Sequence, residues 1–454
     1  MILLFTFNVV LSLFSFTPFS QIQTLKQLLL LSQFLATIAL FSISAHRQVS
    51  TNIDAAKLFS PTPVIEIFTM EGKQICSDSS ANNQLKKTKA TTHLQFQTPS
   101  LGEIVDLPEE IIQDILLRLP VKSLLKSRCV SKSWNSLISS SRFVKSHLKH
   151  SAENANFANH RIIFTLLNPT YTLKQCSVNS LMRDPLVVAP NVDFPNQTPH
   201  STVWVVGSCN GIICLAIDED DVFLWNPATR KSKQLPSAVV EMKPGFYYSW
   251  GFGYCKSEGD YKVVGLFCDY DDGGLRESVV KIYSLRADSW KRIGDFSFGV
   301  PYDDTGKFAG GKLHFAASKG MDFGSSWTIV SLDLESEAYG IVEQPSYGEG
   351  FSNFSLELLG GCLSILYVYE MKRTDLWVLK EEEESWTRVA SIPYSSGLGN
   401  YVYSNPLLIM PNGEILLVFS GSFLVYNPKD DSFRWPDVER FIEADIYFES
   451  LVPL

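Results

Sequence analysis

The sequence lacks the features that would indicate nucleic-acid binding or a common enzyme class. Its 454 residues hold 39 Lys and Arg against 48 Asp and Glu, a net charge of −9, and the positive charge is not concentrated in one place. A nucleic-acid surface needs such a concentration. The GxSxG, HExxH and phosphate-loop patterns are missing as well. We therefore expect no nucleic-acid partner and a protein that is not an enzyme.

Paired metal ligands are also scarce. The eight cysteines include no CxxC pair and have no histidine partner at metal-ligand spacing, and the seven histidines are dispersed along the chain. The sequence therefore predicts no metal site and no cofactor. Scattered thiols in a chain of this length fit a reducing compartment better than a disulfide scaffold, which indicates the cytoplasm, the nucleus or both.

The amino terminus lacks the positively charged start of a secretory signal. Residues 1–25 carry no charge, and a second uncharged apolar stretch follows Lys26 and runs to Ala45. Each stretch is near the roughly 20 residues that span a bilayer as a helix. Positive charge appears only from Arg47 onward, which would keep the rest of the chain in the cytoplasm. Three interpretations of residues 1–46 stay open: a membrane anchor, a targeting segment, or an upstream extension that is not native.

Residues 47–100 have little hydrophobic periodicity. They are rich in Ser, Thr, Asn, Gln and Lys, most clearly between Ser77 and Lys89. This composition is typical of a flexible linker.

A helical pattern begins within residues 101–149. Asp106 is a suitable N-cap, Pro108 is tolerated in the first turn, and Pro120 ends the helix at Leu119. Leu117 falls on the polar side of this helix. The other apolar side chains fill one arc of the helix: Ile111, Ile112, Ile115, Leu116 and Leu119.

Two more short helices are predicted, Val121–Val130 and Lys132–Ile138, with Phe143 and Leu148 trailing behind them. A unit of about 45 residues is near the lower size limit for independent stability. Its apolar content is nevertheless high. We therefore expect a partner to complete part of its surface.

The stretch LPEEIIQDILLRLPVKSLLKSRCVSKSWNSLI, from Leu107 to Ile138, closely resembles the F-box. It has the Leu-Pro opening, the Leu-Pro break and the Val…Lys-x-Trp close of that family. The resemblance implies binding to Skp1, which links F-box proteins to a cullin. By position it implies these Skp1 contacts: Leu107, Pro108, Ile111, Ile115, Leu116, Leu119, Pro120, Val121 and Leu124.

The same resemblance assigns Cys129, Val130 and Trp134 to packing between the helices. The alternative is a small helical bundle that packs only against its own chain.

From residue 155 to 454 the chain consists of short aromatic and β-branched runs broken by turn residues. One sequence pattern recurs: an apolar run, then a turn with Asn-Pro or acidic residues, then another strand. Its equivalent positions are separated by 58, 49, 45 and 49 residues: Trp225, Tyr283, Leu332, Trp377 and Tyr426. A period near 50 is typical of kelch-type propeller blades. About 300 residues at this period predict six blades, with Phe448–Leu454 pairing with an early strand to close the ring.

Several of these phrases also resemble the F-box-associated domain of plant F-box proteins. The matching segments are Val205–Leu215, Trp225–Arg230, Gly251–Tyr254, Asp260–Val264 and the terminal Glu449-Ser-Leu. What the resemblance implies is a domain that binds target proteins.

The sequence thus predicts an α+β multidomain chain, with a three-helix F-box followed by an all-β, kelch-like propeller. The resemblances imply a substrate-recognition subunit of a Skp1–cullin–F-box ubiquitin ligase. Such a subunit holds an unidentified target protein for ubiquitin-dependent degradation. The alternative is a membrane-anchored or carbohydrate-acting propeller protein with a vestigial F-box.

Overall fold

The computed structural model describes most of the chain from Glu109 to its end. The described residues are 109–154, 156–167, 169–184, 186–198, 201–218, 221–238, 246–271, 274–319, 327–348, 350–351, 353–369, 372–380, 384–394 and 404–454. The predictions for residues 1–46 and 47–100 lie outside them, as do Leu107 and Pro108.

Four helices open the described part of the chain and are called here the helical unit: α1 (Glu109–Leu117), α2 (Val121–Ser127), α3 (Lys132–Ser139) and α4 (Ser141–Ala152). The prediction of three helices was wrong, because α4 was taken as a trailing segment. Its start is marked by Ser140, whose hydroxyl accepts a hydrogen bond from the Phe143 N–H at 3.2 Å. Among the described residues, none of the helices has the length and apolar content to cross a membrane.

The remaining residues form the β domain, with one short helix, α5 (Val178–Arg183). Its first strands are β1 (His160–Leu167), β2 (Tyr171–Ser177), β3 (Asn191–Val192), β4 (Val203–Cys209), β5 (Ile212–Ile217), β6 (Asp221–Asn226), β7 (Lys231–Gln234), β8 (Phe246–Cys255), β9 (Asp260–Asp271), β10 (Gly274–Ser284), β11 (Ser289–Arg292) and β12 (Val300–Pro301). The later strands are β13 (Thr305–Ala309), β14 (Lys312–Ser318), β15 (Trp327–Asp333), β16 (Tyr339–Val342), β17 (Asn353–Leu359), β18 (Cys362–Tyr369), β19 (Arg373–Lys380), β20 (Ser385–Pro393), β21 (Ser404–Ile409), β22 (Ile415–Phe419), β23 (Ser422–Asn427), β24 (Ser432–Arg434) and β25 (Glu443–Phe448).

These strands form four antiparallel sheets of four strands and one sheet of nine strands. The four-stranded orders are β25-β1-β2-β3, β4-β5-β6-β7, β17-β18-β19-β20 and β21-β22-β23-β24. The larger sheet runs β11-β10-β9-β8-β13-β14-β15-β16, with β12 paired to β14. The architecture is therefore propeller-like with four separate blades, and the predicted count of six stays a prediction.

The last strand pairs with the first, as expected for a closed ring. β25 runs antiparallel to β1, with a register from His160↔Phe448 to Thr165↔Glu443. The predicted pairing segment, Phe448–Leu454, was placed too late in the chain. Residues Glu449–Leu454, called here the tail, are not part of a strand, and Leu451 packs against the helical unit.

The repeated sequence phrase corresponds to the hairpin that joins the last two strands of a sheet. Asn226 and Asp333 begin two of these turns, and each side chain accepts hydrogen bonds from two backbone N–H groups ahead of it. Four turns have a residue with positive φ five positions after the repeated position: Arg230, Asp288, Glu337 and Asp431. The period therefore comes from turn geometry as well as from apolar side chains.

The core lies between the faces of successive sheets. One apolar cluster joins β1, β2 and β25 to β4–β6 through Ile163, Ile213 and Tyr447. Another joins the β17–β20 sheet to the β21–β24 sheet through Leu376, Ile415 and similar side chains. Because the sheets are covered on both faces, inner strands such as β5, β18 and β22 are nearly continuous apolar runs.

Candidate functional site

Helix α1 presents the first part of the candidate site. Glu109 and Glu110 stand in its first turn, where carboxylates interact favourably with the helix dipole. The helix ends in tight turns, with Arg118 N–H donating to Ile115 O at 3.2 Å and Leu119 N–H to Leu116 O at 3.1 Å. The predicted end at Leu119 was therefore two residues too late.

Two predicted partner contacts lie on the open side of α1. Ile111 is 49% exposed and Ile115 is 48% exposed. Because they are four residues apart in a helix, their side chains are neighbours on one face. Val130, just after α2, is 65% exposed. Large aliphatic side chains that are solvent-exposed on a short helix are typical of a surface that a partner protein covers.

Three other predicted contacts are inside the helical unit. Leu116, Val121 and Leu124 are each 0% exposed and pack with Ile138 and Phe143. A partner cannot reach them in this conformation. Their assignment as Skp1 contacts stays a prediction, and the structure assigns them to the core of the helical unit.

The other predicted contacts occupy intermediate positions. Pro120 is exposed between α1 and α2, and Leu119 is half-buried. The carbonyl of Leu119 lies 3.0 Å from His147 Nε2 of α4. Burial of His147 lowers the pKa of its imidazole, so the ring is held neutral at physiological pH. α4 thus supports the segment that carries these two residues.

Two side chains expected to pack the helices together do not do so. Cys129 and Val130 are exposed, so that prediction was wrong for both. Trp134 does pack against the core of the unit, with Leu117 beside it. Leu117 was expected on the polar side of α1. Because it packs against the core cluster, the buried face of α1 is wider than the predicted apolar arc.

The β domain completes part of the helical core. Leu451 of the tail is 4% exposed within the cluster that holds Leu124 and Phe143, and Ala228 packs against the same cluster. We had expected a separate subunit alone to cover the apolar surface left by the helices. That expectation was wrong for this side of the unit, while Ile111 and Ile115 stay open on the other.

Inside the β domain, a charged cluster comes together from three strands. Lys307 Nζ of β13 and Glu357 Oε2 of β17 are 2.8 Å apart, and both side chains are mostly buried. Glu443 of β25 accepts hydrogen bonds from Thr165 Oγ1 at 3.1 Å and Val205 N–H at 3.0 Å. Asp445 lies two residues further along β25.

Burial sets the titration of this cluster. It raises the pKa of Glu443 to about 7 and the pKa of Asp445 to about 6. Burial also disfavours the charged form of Lys307, but Glu357 and nearby carboxylates raise its pKa above the ordinary value. Sequence reasoning missed this cluster, because its members are far apart in the chain.

The carboxylates of the cluster are not grouped as the ligands of a metal ion would be. Within the described ranges, no three His, Cys, Asp or Glu side chains are grouped so that they would hold a metal ion. None of the described cysteines forms a disulfide bond. Burial raises the pKa of Cys176, Cys209 and Cys268 to about 12, so these thiols stay protonated.

Comparison with known families covers both parts of the molecule. Residues 104–146 match the F-box domain family, and residues 157–449 match the F-box associated beta propeller domain family. The second match alone spans more than half of the 454 residues. The chain belongs to the F-box proteins.

Curated relatives of this F-box protein come from Arabidopsis thaliana. An F-box/kelch-repeat protein is 33% identical over 359 residues, which cover 76% of this chain and 95% of the relative. The F-box protein CPR1 is 29% identical over 377 residues, covering 76% and 88%. The protein is therefore a plant F-box protein with a C-terminal F-box-associated propeller, and the two parts described above are its F-box (the helical unit) and its propeller (the β domain).

Proposed function

We propose that this F-box protein is the substrate receptor of a Skp1–cullin–F-box ubiquitin ligase. Its F-box would bind a Skp1-like protein, and through it a cullin, and its propeller would hold a target protein for ubiquitination. The observation that carries the proposal is the pair of exposed isoleucines on α1, on a helix whose Leu116 is fully buried. In this role the protein is a non-catalytic adaptor that works in the cytoplasm or the nucleus.

The proposed propeller has six blades. The nine-stranded sheet consists of two antiparallel series, β8–β11 and β13–β16, joined by a two-residue parallel pairing of Thr305 with Trp250 and Gly306 with Gly251. Counting each series as a blade gives six. In the described part of the chain, apolar clusters lie between all successive pairs of these six groups, including the last and the first. A ring of this kind leaves short edges only.

The arrangement of the contacts supports a division of labour. The turns after β4 and β6 approach the F-box and the tail, since Gly211 lies against Ser450 and Ala228 packs on the helical core. Among the described residues, the other end of the strands makes none of these contacts, and it carries longer connections such as Arg292 to Thr305. We propose that a target protein binds at that end, because loops on a rigid scaffold commonly carry recognition.

The test is co-purification of the full chain with a Skp1-like protein. We expect a stable complex for the unmodified chain and a sharp loss for the variant in which Leu107→Ala and Pro108→Ala are combined. The control is the double variant Leu186→Ala with Val188→Ala, which removes two exposed aliphatic side chains of the propeller. Failure of the unmodified chain to bind would overturn the ligase role.

A further inference from the structure

The tail contributes consecutive side chains to two different cores. Leu451 is in the core of the F-box, whereas Val452 is in a propeller cluster with Val206 and Ile212. Ser450, just before them, is 0% exposed. Val144 and Leu148 of α4 pack against the same propeller cluster. Because the tail has one side chain in each core, moving the F-box away from the propeller would expose either Leu451 or Val452.

A single amide side chain holds the backbone of the tail. Asn226, at the end of β6, donates from Nδ2 to Ser450 O at 3.2 Å and to Val452 O at 2.9 Å. Its Oδ1 accepts from the N–H groups of Ala228 and Thr229, at 3.0 and 3.1 Å. Asn226 is 0% exposed. It therefore organises the β6–β7 turn with one end and the tail with the other.

Polar contacts also hold the start of the tail. The N–H of Glu449 donates to Asn159 O at 2.9 Å, and its carboxylate pairs with Arg161 Nε at 3.0 Å. Asn159 in turn donates from Nδ2 to Ser151 Oγ of α4 at 2.9 Å. These buried contacts connect the last helix of the F-box, the first strand of the propeller and the tail.

The turn between β4 and β5 leaves room for the tail only because it contains a glycine. Gly211 has φ +79°, and a Cβ there would lie 2.6 Å from both Ser450 Cβ and Phe448 O. Gly311 occupies the corresponding turn between β13 and β14, also with φ +79°, and has nothing within 4 Å of such a Cβ. The two glycines have the same backbone conformation, but only Gly211 has another segment, the tail, packed against it.

We propose that the tail locks the F-box to the propeller, so that the two domains move as one rigid body and a bound target is held at a constant position relative to the ligase. The rigidity follows from the contacts of this chain alone. Its consequence for ubiquitin transfer rests on the proposed function. The tail is thus a coupling element that a carboxy-terminal truncation would remove.

The test measures distances between spin labels on the two domains. Labels are attached to cysteines placed at Lys126 and Val389, two exposed positions, in the full chain with Cys129→Ser, since Cys129 is itself exposed. Asn226→Asp keeps the acceptor for Ala228 and Thr229 but loses both donors to the tail. Asn427→Asp is the matched control, because Asn427 accepts from Lys429 N–H in the equivalent turn of a later sheet.

We expect one narrow distance for the unmodified chain and for Asn427→Asp, and loss of that narrow distance for Asn226→Asp. The glycine pair is a second test: Gly211→Ala loses the narrow distance and Gly311→Ala keeps it. A narrow distance in Asn226→Asp, or equal behaviour of the two glycine variants, overturns the proposal. Skp1 binding is measured separately on the same samples, so a failure of the ligase role is recognised without affecting the distance result.

Discussion

The F-box and the propeller depart from ordinary protein packing in opposite ways. The F-box leaves Ile111 and Ile115 about half exposed, although aliphatic side chains of this size are usually buried. The propeller encloses Glu443, Asp445 and Lys307, although charged side chains are usually solvated. The exposed isoleucines of the F-box are useful only if a partner protein covers them. The enclosed charged groups of the propeller need no partner protein, because neighbouring strands supply their hydrogen bonds and ion pairs.

The largest effect is expected on the open side of the F-box. Changing Ile111→Asp and Ile115→Asp together places two carboxylates where the proposal puts an apolar contact. We expect binding of a Skp1-like protein to weaken at least about a thousandfold, or about 4 kcal/mol, because hydrophobic anchors dominate such interfaces. Titration calorimetry on the full chain measures this affinity.

The control for that experiment is Val389→Asp, a similar change at an exposed position of the propeller. It is expected to leave the affinity unchanged. Equal affinities for the double variant and the unmodified chain would show that the open side of α1 is not the contact surface.

The buried side of the F-box is expected to respond in stability. Leu124→Ala removes a fully buried side chain and is expected to cost about 2–5 kcal/mol. Ile115→Ala, on the open side, is expected to change stability by about 0.5 kcal/mol or less. Hydrogen exchange of the α3 amides reports this difference. Similar losses in the two variants would mean that both side chains belong to one core.

This contrast also shows what the sequence could predict for the F-box. The spacing of apolar residues located α1, and the Leu-Pro motifs located its family. The same spacing placed Ile111, Ile115 and Leu116 on one apolar face. Spacing gives the direction of a side chain on the helix, but it does not show whether another segment buries that side chain. Leu116 is buried in a cluster that includes Leu451, which lies more than 300 residues away in the chain.

For the propeller, the repeat predicted the hairpins, and the turn residues explain why it did. Asn226 and Asp333 act within four residues of their own positions, which a local pattern can detect. The contacts of Asn226 with the tail are not local, and neither is the pairing of Lys307 with Glu357. Contacts between distant segments depend on how the sheets are arranged, and a single sequence contains no direct record of that.

The enclosed carboxyl groups predict that stability falls as pH rises. The folded-state pKa of Glu443 is raised to about 7, and that of Asp445 to about 6, above the ordinary values of 4.5 and 3.8. The folded state therefore prefers the protonated forms. The stabilisation is complete below about pH 4 and is lost as pH rises through 6 to 7.

Lys307 interacts electrostatically with both carboxyl groups, and its raised pKa keeps it charged across this range. We expect unfolding free energy to fall by on the order of 2 kcal/mol between pH 5 and pH 8. Chemical denaturation at each pH measures it. Glu443→Gln should reduce the slope and raise stability at pH 8. An unchanged slope in that variant would assign the pH dependence to other groups.

The smallest expected effect is a difference in stability between Tyr→Phe variants at two buried tyrosines of the propeller. Tyr426 Oη donates to Asp431 Oδ1 at 2.7 Å within a repeated turn, whereas Tyr367 Oη is buried with no hydrogen-bond partner among the described residues. Tyr426→Phe should cost about 1 kcal/mol, because it removes a side-chain hydrogen bond. Tyr367→Phe should be neutral or stabilising, since it removes a buried polar group that has no partner in the described chain. A loss of stability in Tyr367→Phe, seen by thermal denaturation beside Tyr426→Phe, would mean that the Tyr367 hydroxyl is hydrogen-bonded after all.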